Sequence, residues 1–178
     1  MGFGSGAACS IGMNTTLTAE QREIYQNTDT IRDILARAKT IAVVGLSTEV
    51  QKASNMAASY LQDEGYRIVP VNPRAETILG EKSYPDLQSI PFAVDVVDIF
   101  RPSNEIDDIV QQCIAIKAKA VWMQLRIINF AAADAARAAG LPVVMDKCLK
   151  MEHGRFGGGL HWAGMNTEVI SARRAKLC

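Results

Sequence analysis

The chain has 178 residues, 48% of them apolar, and 19 acidic side chains balance 19 basic ones. That length suits one domain with a real core, and the charge balance favours neither nucleic acid nor an anionic membrane. No apolar stretch is long enough to span a bilayer, and four scattered cysteines (Cys9, Cys113, Cys148 and Cys178) fit reduced thiols in a cytoplasm.

Residues 1–17 read as a flexible tail, and residues 18–178 as a single domain. Met1–Met13 is rich in Gly, Ser and Ala and carries no charge. It lacks the basic start of a secretory signal, and Gly6 stands where a myristoylation pattern wants Ser or Thr. Helical periodicity begins at Thr18, which is placed to cap Ala19–Gln26. Asp29 is placed to cap Thr30–Lys39, with Ile31, Ile34, Leu35 and Ala38 on one face.

The short β-branched run Ile41–Val44 reads as a strand buried on both faces, ended by Gly45. Ser54 is then expected to cap a helix Asn55–Glu64, with Met56, Ala57, Tyr60 and Leu61 on its apolar side. Strand, glycine turn and helix together make a corner where backbone N–H groups and a helix N-terminus face an anion. The second strand, Tyr66–Val71, ends at Asn72-Pro73-Arg74. Leu79-Gly80 and Tyr84–Leu87 read as turns. The third strand is Ala93–Phe100, stopping at Arg101-Pro102. Ser103 is expected to cap a helix Asn104–Ile116. A fourth strand, Ala120–Leu125, a helix Phe130–Ala139 and a fifth strand, Pro142–Asp146, complete the pattern. Gly154, Gly157, Gly158 and Gly159 read as a mobile connection, after which Trp162, Val169 and Ile170 dock the C-terminal segment.

Strands alternating with helices predict an α/β fold: a Rossmann-like, doubly wound parallel sheet of about five strands with helices on both faces. Ligands of such sheets bind beyond the carboxyl ends of the strands. Those ends carry Gly45-Leu46-Ser47, Asn72-Pro73-Arg74, Phe100-Arg101-Pro102, Gln124-Leu125-Arg126 and Asp146-Lys147-Cys148. Ser, Asn, Gln and several cations there suit a polyphosphorylated ligand. Only Gly45 of the dinucleotide pattern Gly-x-Gly-x-x-Gly is present, and Asn72-Pro73-Arg74 replaces the acid that binds an NAD ribose. Arg74 would tolerate a ribose phosphate. No Walker pattern occurs.

Seven segments carry a resemblance: A-V-V-G-L-S, G-Y-R-I-V-P-V-N-P-R, I-L-G-E-K-S-Y-P-D-L, V-D-I-F-R-P, A-V-W-M-Q-L, V-V-M-D-K-C and W-A-G-M-N-T. Over about residues 31–174 the chain resembles the small stand-alone CoA-binding proteins, similar to the N-terminal domain of succinyl-CoA synthetase α subunits. The resemblance implies coenzyme A or an acyl-CoA as ligand, with its diphosphate on the Gly45, Leu46 and Ser47 turn and Lys52 reaching a phosphate. Val71, Asn72, Pro73 and Arg74 would line the nucleotide end. Phe100, Arg101 and Pro102 would flank the adenine or ribose, and Gln124 would close the floor. The family commonly has glycine after Gln-Leu, where this chain has Arg126, so that wall either gains a phosphate contact or loses room. The synthetase's phosphohistidine chemistry does not carry over.

Plainer readings stand beside these. Gly45 also serves a tight turn, Lys52 also reads as a solvated helix-start charge, Asn72-Pro73 as a turn, and Phe100 and Trp122 as core. Cys148 reads as packing rather than a nucleophile. His153 and His161 lack a third ligand for zinc. The expectation is therefore a non-covalent CoA-binding module without chemistry of its own. The alternatives are an NADP-dependent oxidoreductase, a CoA-dependent transferase, or a redox protein pairing Cys113 or Cys148 with a CoA thiol. A protein partner or homo-oligomer is left open.

Overall fold

The computed structural model describes residues 17–157. Two helices lead in: α1 (Ala19–Tyr25) and α2 (Thr28–Arg37). Thr18 caps α1 as expected, in a capping box with Gln21. The cap of α2 is Asn27 rather than Asp29. The Asn27 carboxamide accepts from the N–H groups of both Asp29 and Thr30, and Asp29 sits in the first turn, where its charge complements the helix dipole.

Strand β1 (Thr40–Val44), helix α3 (Ala53–Asp63) and strand β2 (Arg67–Val71) follow. The passage from β2 to the next sheet strand contains no helix. It carries a small hairpin instead, β3 (Thr77–Ile78) and β4 (Glu81–Lys82). Leu79 and Gly80 both have positive φ, 55° and 77°, the backbone that a tight two-residue hairpin loop requires. Then come β5 (Val96–Ile99), a 3-10 turn at Ser103–Glu105, α4 (Ile106–Ala115), β6 (Ala120–Met123), α5 (Phe130–Ala138), β7 (Val143–Val144) and α6 (Leu149–Phe156). Ser103 thus opens a 3-10 turn rather than capping α4, which has no side-chain cap. Asn129 caps α5 through the Ala132 N–H. Several strands are shorter than expected, because ladder pairing stops where each chain turns out of the sheet.

The main sheet is wholly parallel, in the order β2-β1-β5-β6-β7. Side chains alternate across it. Ala42, Val44, Val97, Ile99, Val121 and Met123 face one core with α4 and α5. Ile41, Val43, Ile68, Val96 and Trp122 face the other, with Ile31, Ile34, Leu35, Ala58, Leu61 and Leu149 from α2, α3 and α6. Trp122 is fully buried, so it is core.

Further expectations fail. Ser54 lies inside α3, whose cap position is Lys52. Met56 points to solvent, half exposed. Gly154 is a buried residue within α6 rather than part of a loop, held there by the helix's contacts with α2 and α3. Leu17, assigned to the tail, is 5% exposed and packs in the core. The rest of the proposed tail, together with Gly158, Gly159, His161, Trp162, Val169 and Ile170, lies outside the described residues. Among the described residues, no helix is long and apolar enough to cross a membrane.

Candidate functional site

The strand order reverses between β1 and its two neighbours. One connection from β1 runs through α3 to β2 at the edge, and the next chain passage returns to β5 on the other side. The crevice of such a sheet opens at the carboxyl ends of those central strands. Here the ends of β1, β2, β5 and β6 bring Gly45, Asn72, Phe100 and Gln124 to one edge of the sheet.

Gly45 is the tightest point. Its φ is +83°, and a Cβ there would lie 2.8 Å from the Phe100 carbonyl oxygen and 2.8 Å from Cδ of Arg101. The β1 and β5 exits therefore touch backbone to backbone. The Gly45 N–H itself donates to the Val71 carbonyl at 3.0 Å, so this glycine shapes the turn and leaves anion contact to other amides.

The turn is braced from inside. Asn72 donates to the Leu46 carbonyl, and Asn55 donates to the Ser47 carbonyl, each at 2.8 Å. The Ser47 N–H donates to the Ser54 hydroxyl at 3.1 Å. Ser54 thus clamps the turn instead of capping the helix. Asn72 also accepts from the Arg74 N–H, which fixes the bend after β2. Leu46 is fully buried beneath the turn.

With Ser54 so engaged, α3 starts without a side-chain cap and without an acid in its first turn. The first N–H groups of a helix have no partner within it. Those of Ala53, Ser54 and Asn55 therefore present the positive end of α3 at the crevice. Lys52 adds a charge at that end. It is exposed, and its Nζ lies 3.9 Å from a Glu49 carboxylate oxygen.

The other expected residues fall into two sets. Val71 is buried at the end of β2; Pro73, Arg74, Pro102 and Arg126 are exposed at the rim. Phe100 is half-buried against the second core. Arg101 lays its stem over Gly45 and gives Nε and Nη2 to the Glu105 carboxylate, at 2.7 and 2.8 Å. Arg126 has φ +65°, and its N–H donates to Asp146 at 2.7 Å. Lys147 turns inward, with its Nζ 3.3 Å from Glu152, which also pairs with Arg155.

Beneath the rim, Gln124 is buried and its Nε2 lies 2.9 and 3.0 Å from the two oxygens of Asp98. Burial pushes the Asp98 carboxyl up to about 8, and the Gln124 hydrogen bond only partly opposes this. Asp98 is not among the strand-end residues expected to line the site. Its signal was an acid inside the apolar run V-V-D-I-F, as costly a place for a charge as the fold has.

Cys148 and His153 are both shifted by burial away from their charged forms. Burial raises the Cys148 thiol, the opposite of activation. His153 is lowered by burial and shares a 3.1 Å hydrogen bond with the Tyr60 hydroxyl. Among the described residues, no group of three His, Cys, Asp or Glu side chains could hold a metal. An open groove of about 600 Å³ lies at the other end of the sheet, between α2 and the start of β7, lined in part by Asp29, Asp33, Arg137 and Pro142. It is separate from the strand-end crevice.

A family model described as a CoA binding domain matches residues 39–154, the span that contains every strand of the sheet. An uncharacterized protein of Bacillus subtilis, YneT, is 37% identical over 123 residues, covering 69% of this chain and 91% of YneT. ADP-forming acetate–CoA ligase II of Archaeoglobus fulgidus is 30% identical over 99 residues, which are 54% of this chain but 15% of the ligase. Among solved structures, a hypothetical protein from Pyrococcus horikoshii is 40% identical with a TM-score of 0.70, covering 72% of this chain and 91% of that one. A Thermus thermophilus protein is 36% identical with the same TM-score, covering 73% and 98%.

Proposed function

Because the chain belongs to the CoA-binding domain family, we propose that it binds coenzyme A or an acyl-CoA non-covalently at the carboxyl ends of β1, β2, β5 and β6. It does no chemistry on the ligand alone. The observation that carries this reading is the electropositive corner at the switch in strand order. There the Gly45–Ser47 turn is braced internally, and α3 opens on it with uncapped N–H groups and Lys52. A diphosphate is the ligand group that such a corner fits.

In this reading Lys52 supplies a screened charge to a phosphate. Arg74, set by the Asn72 turn, stands at the nucleotide end with Val71 and Pro73 beneath it. Phe100 and Pro102 form an apolar wall for the adenine or ribose, and Arg101 lies between that wall and the turn. Gln124 closes the floor, and Arg126 reaches in from the rim. The acetate–CoA ligases similar to this chain match it over only 15% and 11% of their own length, so their activity is not carried over to it. The domain suits a role in holding the thioester for another protein.

Calorimetric titration with CoA and with NAD tests this reading. No acid follows β2 to receive a ribose diol, so CoA should bind more tightly. NAD binding as tightly as CoA, or more so, would defeat the assignment.

A further inference from the structure

Asp98 and Gln124 are the most deeply buried polar pair beside the crevice, 1% and 4% exposed. Asp98 lies in β5 between Val43 of β1 and Trp122 of β6. Gln124 follows Trp122 by two residues and so shares its side of the sheet. A buried carboxyl is costly unless something uses it. Among the described residues the ion pairs join other acids, and Gln124 is the side chain that hydrogen-bonds Asp98.

We propose that Asp98 is a positioning residue that decides which end of the Gln124 amide faces the bound phosphates. This rests on the reading of the crevice as the CoA site. A carboxylate can only accept. It draws Nε2 between its two oxygens and turns Oε1 outward, and an outward carbonyl oxygen repels an anion. A neutral acid carries one O–H that needs an acceptor. Gln124 Oε1 is the acceptor within reach, and an unpaired buried hydroxyl is costly. The amide then turns over, so that Oε1 takes the acid proton. One N–H bonds the acid's carbonyl oxygen, and the second points to the crevice as a donor. The neutral pair therefore suits a phosphate, and the ionised pair disfavours it. Burial already holds Asp98 toward its neutral form at physiological pH.

The surroundings leave few other groups to respond. Cys148, between β7 and α6, is a titratable group that feels the Asp98 charge. Helices α2 and α3 present Ile31, Ile34, Leu35, Ala58 and Leu61 to this face. Lys147 and Arg155 are both paired with Glu152. His153 meets Tyr60 and Tyr66 where α6 crosses α3.

The test is CoA affinity from about pH 7 to about pH 9.5, a window above the phosphate's own titration near pH 6. Wild-type affinity should fall at least about fivefold, the scale of one lost hydrogen bond to a charged group. Asp98→Asn offers Gln124 both a donor and an acceptor at every pH, so its affinity should stay flat. Cys148→Ser should keep the wild-type slope. A flat wild type, an Asp98→Asn protein with the wild-type slope, or a slope abolished by Cys148→Ser would each overturn the proposal. NMR of the ligand-free protein separates this from the function itself. The Asp98 carboxyl carbon and the Gln124 side-chain nitrogen should titrate with one midpoint. A Gln124 signal that ignores the Asp98 titration overturns the positioning role, whereas absent CoA binding with a shared midpoint overturns only the ligand assignment.

Discussion

Two residues at the crevice owe their identity to backbone geometry. Gly45 combines a left-handed φ with a 2.8 Å approach to the Phe100 carbonyl. A side chain there meets backbone, which cannot swing aside. Gly45→Ala should cost about 2–4 kcal/mol, from left-handed strain and overpacking together, read by urea denaturation. The fraction that stays folded should bind CoA at least about tenfold more weakly, about 1.4 kcal/mol. Wild-type stability in this variant would show that β1 and β5 can separate freely. Arg126 is the converse case. Its φ of +65° explains why glycine suits this position: the backbone favours it whether or not a ligand needs the room. Arg126→Gly should raise stability by up to about 1 kcal/mol by relieving that strain. It should also weaken CoA binding and flatten its salt dependence, as one exposed cation is lost from the rim. Tighter CoA binding at both low and high salt would mark the arginine as an obstruction.

At the scale of elements, the amino ends of the strands are stapled and their carboxyl ends are left open. Asp95, just before β5, accepts from the N–H groups of Lys39 and Thr40, both at 2.9 Å, and pairs with Lys119 at 2.7 Å. One carboxylate thereby joins the starts of β1, β5 and β6. Burial raises its pKa, but the hydrogen bonds from Lys119, Thr40 and Lys39 outweigh that and hold Asp95 below the usual carboxylate range. Asp95→Ala strands two amides and should cost about 1–3 kcal/mol, measured by thermal or chemical unfolding, while leaving CoA affinity of the folded protein unchanged. A loss of affinity without a loss of stability would contradict this division of the sheet. The α3 terminus shows the opposite arrangement, since Ser54 serves the turn and the helix amides stay available.

For the whole molecule, the consequence of Asp98 is a stability that depends on pH. Its folded pKa is raised from 3.8 to about 8. The folded state therefore binds more protons than the unfolded state between those limits. The contribution is fully present below the unfolded value and is lost as pH rises through the folded one, at up to about 1.4 kcal/mol per pH unit. Asp98→Asn should remove that slope. Unfolding by urea between about pH 5 and about pH 8 checks it: the wild type should lose ground to the variant by at least about 1 kcal/mol. Parallel curves would show that Asp98 ionises as easily folded as unfolded.

Much of this architecture was legible in the chain itself. Short β-branched runs ended by Gly45, Asn72 and Arg101 could only be buried parallel strands, since strands coated by helices on both faces show no polar alternation. The order of these runs also marked which residues share the carboxyl edge. Periodicity placed α1, α2, α4 and α5 to within a few residues, and of the expected caps Thr18 of α1 held. What tertiary contact alone decided is how each polar side chain is used. Asn27 took the capping role expected of Asp29, and Ser54, expected to cap α3, clamps the Ser47 turn instead, because a hydroxyl or carboxamide bonds whichever amide the fold brings within about 3 Å. Lys147, at a strand end like Arg74 and Arg101, turned inward to Glu152 on α6. Asp98 looked like an interruption in a strand until Gln124, 26 positions later, was placed beside it. Burial pattern is local information and survives in one dimension. Partners brought together across a parallel sheet are distant in sequence, so their hydrogen bonds exist only once the sheet has formed.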